Sequence, residues 1–201
     1  MRLAAAVVLI VSASASDYTA LDRYVAQADS SYRYQLVRTT QSLGATIYQI
    51  DLTSQTWLTP AEVNRTEWRH WLTIIRPEKT SSSTGLLFID GGSAKSTPDA
   101  PDPLLAVAAV QAGAVIIQLN EVPNQPLTFA GESRTRSEDA IIAFTWKKFL
   151  ETGDERWPAR LPMTKAAVRA MDAATEFLKL QAPPLELKNF IVAGGSKRGW
   201  T

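Results

Sequence analysis

The chain contains no cysteine and a single histidine, His70. Without thiols there is no disulfide, thiolate zinc site, iron–sulfur cluster or cysteine nucleophile, and one imidazole cannot build a histidine-rich metal centre. A surplus of one charge is also missing. Lys and Arg number 21 against 20 Asp and Glu, so the basic excess that neutralises a nucleic-acid backbone is not there, and no nucleic-acid partner is expected. Long apolar runs are absent as well. The greasiest stretch, Leu3 to Val11, falls well short of the roughly 20 residues that cross a bilayer, which argues against a stable membrane anchor.

What is present is the composition of a folded domain: 201 residues, 45% apolar and 20% charged,. Arg2, the apolar run and the small residues Ser12 to Ser16 form a charged start, a greasy middle and a cleavage segment, which predicts a secretory signal over residues 1–15, cut after Ala15,. The expected location is therefore secreted or periplasmic, and loss of Arg2 leaves the mature chain, 16–201, formally neutral. Asn64-Arg65-Thr66 is an N-glycosylation sequon,.

Between residues 34 and 76, Tyr48, Ile50 and Leu52 alternate with Gln49, Asp51 and Thr53, and a second such stretch runs from Trp68 to Ile75. Alternation predicts antiparallel strands with one dry and one wet face. Leu86 to Ile89, Val115 to Ile117 and Phe190 to Val192 are instead short continuous apolar runs, expected as parallel strands buried on both faces. Helical patterns separate them. Asp102, Pro103 and Gly113 cap, open and close the first; a second is expected from Ser137, with Glu138 and Asp139 in its first turn. A third, from about Pro162 to Leu180, carries Met163, Ala167, Ala170, Met171, Ala174, Phe177 and Leu178 on one stripe and Lys165, Arg169, Asp172, Glu176 and Lys179 opposite,. Strands alternating with helices predict an α/β fold with right-handed crossovers.

The chemistry points to Phe190 to Gly199, a buried-type strand running into Gly194-Gly195-Ser196-Lys197-Arg198-Gly199. A serine on a tight strand-to-helix turn has its hydroxyl lifted above the sheet, and its glycine neighbours avoid Cβ clashes. The spacing is G-x-S-x-x-G, with Arg198 where the commoner motif has glycine. Ser196 is the candidate nucleophile, and the Lys197 N–H one oxyanion donor. Gly91-Gly92-Ser93 follows another apolar strand, so Gly92 is the candidate second donor. A plain glycine turn, or an anion-binding one, remains open. The nucleotide signatures G-x-x-x-x-G-K-[ST] and G-x-G-x-x-G are absent, and no cofactor is expected. Arg134, Arg136, Lys197 and Arg198 read as solvated bases or as an anion site, Trp157 as a loop anchor or a sugar platform, and His70 as a structural histidine out of order for a general base.

Leu87 to Ser93, Glu121 to Leu127, Arg136 to Trp146 and Gly194 to Thr201 together resemble the PhoPQ-activated pathogenicity-related proteins, a branch of the α/β-hydrolase-like fold, some relatives of which are described as secreted proliferation repressors. The turn is also similar to that of glucuronoyl esterases, in the basic residue after the serine and the later glycine. The resemblance implies an α/β-hydrolase-like domain with N-terminal antiparallel strands, then parallel strands with crossover helices, truncated after the nucleophile turn: 16–201 is its N-terminal portion. The acid and histidine of that fold follow the serine, so the 201-residue chain alone is expected to be inactive. Two functions stay open: serine-dependent ester or amide hydrolysis, with a small-molecule or glycan ester as substrate, and a non-catalytic extracellular signalling or binding role. Oligomeric state is not legible.

Overall fold

The computed structural model describes residues 18–201; the expected signal segment lies outside the described residues. A short helix α1 (Ala20–Ala26) precedes the strands β1 (Arg33–Ser42), β2 (Ala45–Thr56), β3 (Glu67–Pro77) and β4 (Thr84–Ile89). Helix α2 (Pro103–Ala112) leads to β5 (Ile116–Leu119), helices α3 (Asp139–Thr152) and α4 (Arg160–Lys179) follow, and β6 (Asn189–Gly194) runs into a 3-10 turn, Ser196–Trp200. The strands form one sheet in the order β1-β2-β3-β5-β4-β6. β1, β2, β3 and β5 pair antiparallel, whereas β4 is parallel to both β5 and β6. The expected antiparallel start and parallel continuation are therefore both present.

Local chemistry explains the elements. Leu43 and Gly44 both have positive φ, 53° and 78°, the two-residue hairpin geometry that matches strand twist. Asp102 caps α2 by accepting from the Leu104 N–H, Pro103 opens the helix, and Gly113 ends it at φ 58°. The main core lies between the sheet and α3 and α4, where Ile50, Leu52, Leu72, Ile74, Leu87 and Ile117 meet Ala170, Ala174, Phe177 and Leu178. Trp157, packed in the same core, is a loop anchor.

Four expectations are corrected. The second face of β2 is not wet: Ala45, Ile47, Ile75 and Ile116 pack against Ala106 and Ala109 of α2, and Gln49 is buried, its Nε2 donating to Asp99 O at 2.7 Å. Lys165 is buried too; its ammonium donates to Gln27 O at 2.7 Å, over the Tyr24 ring, because α1 covers that side of α4. Helix α3 starts at Asp139, two residues later than the charge pattern suggests. Finally, Ile191 and Val192 of β6 are exposed, so that strand is not buried on both faces.

Candidate active site

Parallel pairing puts Ile89 opposite Gly194, so the chain leaves β4 and β6 at the same carboxyl edge, where ligands bind in open α/β sheets. From β6 the backbone passes through Gly195, still extended at φ −90° and ψ 142°, and turns at Ser196, whose φ is +56°. A non-glycine residue held there stores strain of order 1–3 kcal/mol. Which glycines permit the turn differs from the expectation. A Cβ on Gly194 would lie 2.8 Å from the Arg198 carbonyl carbon, and one on Gly199 would lie 2.7 Å from Gly194 O, whereas Gly195 faces open space. The crowding is backbone against backbone and falls on Gly194 and Gly199, not on Gly195, the immediate neighbour of the serine.

The Lys197 N–H makes no hydrogen bond among the described residues, while its carbonyl accepts from Arg160 Nη1 at 2.6 Å. Across the strand edge, Gly91 O accepts from the Glu121 N–H at the end of β5, at 2.8 Å. In a planar trans peptide the N–H points opposite to the C=O, so the Gly92 N–H is aimed away from β5. That is the side on which β6 lies. Gly92 itself has φ 116°, a conformation that suits glycine. A cleft of about 270 Å³ opens beside the turn, lined by Ser196, Lys197, Trp200, Asp139 and Arg160.

The bases around the turn do not gather as an anion site. Lys197 Nζ pairs with Glu138 Oε2 at 2.7 Å, and Arg198 reaches Glu138 Oε1 at 2.5 Å and Val122 O at 2.8 Å. Arg136 is paired with Glu132 over the Phe144 ring, and Arg134 is exposed in its loop. Nor are Lys197 and Arg198 solvated, their side chains being 12% and 13% exposed. Burial alone would push the Glu138 carboxyl up, but hydrogen bonds from Lys197, Gln125 and Arg198 outweigh it and hold it at about 2. Sequence reasoning placed Glu138 on the first turn of a helix, read Gln125 only as part of a proline-stiffened loop that either lines the pocket or braces the chain, and missed Arg160 altogether; the one available signal for the acid was the pair of adjacent bases in the turn.

His70 is not a partner of Ser196. It is fully buried, with Nδ1 3.1 Å from Asn120 O and Nε2 3.0 Å from Ser54 Oγ, and burial depresses it to about 4. Since Asn120 O can only accept, Nδ1 carries the proton and Nε2 accepts from the serine hydroxyl. Nearby Glu121 is buried and accepts from the Lys95 N–H at 3.0 Å; burial raises its carboxyl to about 7 against the lowering effects of that bond, Arg65, Arg69 and Lys95.

These two groups act oppositely on stability. The folded-state value of Glu121 is raised, so its contribution is complete below about 4.5 and is lost as pH rises through 7,. That of His70 is lowered, so stability falls as the unfolded chain takes up a proton between pH 6.5 and 4,. The slopes offset each other over the shared window. Urea midpoints of Glu121→Gln are expected to fall steeply on acidification from pH 6.5 to 4.5, and those of His70→Gln to rise. Parallel pH profiles for both variants and the unaltered protein would contradict this assignment.

The sequence model of the family described as PhoPQ-activated pathogenicity-related protein matches residues 21–201. Autocrine proliferation repressor protein A of Dictyostelium discoideum is 39% identical over 199 residues, covering 97% of this chain and 40% of that protein. The chain thus spans less than half the length of that relative. Among solved structures, acetyl xylan esterase 1 from Thermoanaerobacterium sp. superposes with a TM-score of 0.50 at 12% identity, over 90% of this chain and 50% of that one. A glucuronoyl esterase from Solibacter usitatus gives 0.47 at 13% identity, over 90% and 51%. The fold is that of the α/β-hydrolases, with mixed strand directions and helices on both faces of the sheet. Among the described residues no helix is long and apolar enough to cross a membrane.

Proposed function

The chain belongs to the PhoPQ-activated pathogenicity-related protein family, and for this member we propose serine-dependent hydrolysis of an ester or amide, carried out after export by way of residues 1–15. Ser196 is the nucleophile, and the N–H groups of Lys197 and Gly92 receive the oxyanion. One observation carries the reading: an exposed serine held at φ +56° on the apex between β6 and the following turn, at the same sheet edge as the Gly91-Gly92 loop that follows β4. A hydroxyl is a weak nucleophile without a base, and His70 is committed elsewhere. The base this reading calls for is a histidine placed after the serine, as in other proteins of this fold. In the reaction the Ser196 oxygen bonds to the carbonyl carbon while its proton passes to that base; collapse of the intermediate then breaks the bond to the alcohol or amine, which leaves with that proton, and the acyl group stays on Ser196. The negative charge collecting on the carbonyl oxygen falls to the two N–H donors, and water then releases the acyl group. Small-molecule or glycan esters are the proposed substrates; the solved relative named as an acetyl xylan esterase shares the fold.

A second reading is favoured by the name of the 39% identical relative, a proliferation repressor: a non-catalytic extracellular signal or binding protein on the same scaffold. Treatment of the full-length protein with a fluorophosphonate, followed by peptide mapping, separates them. A single adduct on Ser196 is expected. A folded protein that takes no adduct is the signalling protein and not the hydrolase.

A further inference from the structure

We infer that Glu138 is the positioning residue that holds the two halves of the oxyanion hole in register. The inference rests on the hydrolase reading above and extends it to a group that never touches substrate. Glu138 sits just before α3 with φ 55° and ψ −130°, and its side chain makes no cap to that helix. The carboxylate is turned the other way. Oε2 meets Lys197 Nζ at 2.7 Å, and Oε1 accepts from both Arg198 Nη2 at 2.5 Å and Gln125 Nε2 at 2.6 Å. The Glu138 N–H in turn donates to Gln125 Oε1 at 2.6 Å. One side chain thus faces two consecutive residues of the nucleophile turn and the amide of Gln125.

Gln125 carries the link onward. Its Nε2 also donates to Gly92 O at 2.8 Å, which fixes the peptide on the far side of the Gly92 N–H. Arg198 makes a second tie: its guanidinium lies so close over Gly91 that a Cβ there would be 2.2 Å from Nη2, while Nε holds Val122 O. Remote in sequence, the loops after β4, β5 and β6 converge on one acid. Without its charge, Lys197 and Arg198 would be adjacent cations turned inward with only Asp139, 3.3 Å from Lys197, to answer them, and the turn would relax outward. Donors misplaced by as little as 1 Å cost about 10²-fold in rate, which is the reason a structural acid matters to the chemistry.

The test uses full-length protein, fluorophosphonate labelling of Ser196, and hydrolysis of p-nitrophenyl acetate, all well below the unfolding temperature. Glu138→Gln, close to the same shape but uncharged, is expected to lower the labelling rate and kcat about 10- to 100-fold with KM nearly unmoved. Glu132→Gln breaks a comparably buried ion pair, to Arg136, away from the turn, and is expected to leave both rates alone. If Glu138→Gln does not fold, Gln125→Met carries the test, since it cuts the tie to Gly92 while sparing both ion pairs. Glu138→Gln rates equal to those of the unaltered protein, or a loss matched by Glu132→Gln, overturn the inference while leaving the hydrolase reading standing. An unaltered protein that does not label overturns both.

Discussion

Ser196→Ala is expected to abolish phosphonate labelling and lower turnover by about 10⁶-fold, the loss seen when a triad nucleophile is removed, with almost no change in the thermal midpoint. Ser196 is exposed at the apex, so removal of its hydroxyl belongs with surface changes, usually within about ±0.5 kcal/mol,. The backbone sharpens the expectation. Alanine keeps the Cβ at φ +56° and with it the strain, whereas glycine has none to clash. Ser196→Gly should therefore be equally unreactive but more stable than Ser196→Ala, by about 1 kcal/mol. A midpoint lowered by several degrees in Ser196→Ala, or activity retained in either variant, would show that the serine serves the fold and not the reaction.

Gly194→Val is expected to destroy the turn. Its Cβ would fall 2.8 Å from the carbonyl carbon of Arg198 and 2.9 Å from its oxygen, and neither is the free end of a side chain that could swing aside. Over-packing a yielding core costs about 1–3 kcal/mol; two backbone segments forced together should cost about 3 kcal/mol or more and loosen the pairing of β6 with β4. Gly195→Ala is the informative control, because that residue is extended with open space around it, and alanine in a permitted conformation changes stability by less than about 1 kcal/mol. Urea unfolding of the two variants decides the matter. A Gly194→Val midpoint equal to that of Gly195→Ala would remove the crowding argument.

Features carried by neighbouring residues were legible in the sequence. The caps of α2 and the strand-into-glycine turn at 190–199 each depend on groups a few positions apart, and the structure has them where the pattern indicates; β2 is a strand as its period indicates, although its second face is covered. What was hidden depends on distant partners. Lys165 follows the polar side of its helix by period, and only the arrival of α1 buries it. Gln49 belongs to a wet face until α2 and residue 99 cover it. Glu138 has the charge that suits a helix start, but its positive φ turns the carboxylate toward residues some sixty positions away. Telling Gly194 from Gly195 required knowing which side of the turn approaches the Arg198 carbonyl.

The strand order also sets a sequence of events in time. β1, β2 and β3 are joined by near neighbours, with Leu43 and Gly44 closing the first hairpin, so their contacts form at little loop entropy. The partner of β4 on one side is β5, reached after a helix. On the other it is β6, with Thr84 meeting Asn189 across most of the domain. Long closures are slow and come late. During synthesis the antiparallel half has all its pairing partners well before residue 189 leaves the ribosome, and Ser196 cannot adopt its strained conformation until β6 has docked. The turn at Ser196 is therefore assembled after the antiparallel half of the sheet, and its geometry depends on the longest closure in the domain.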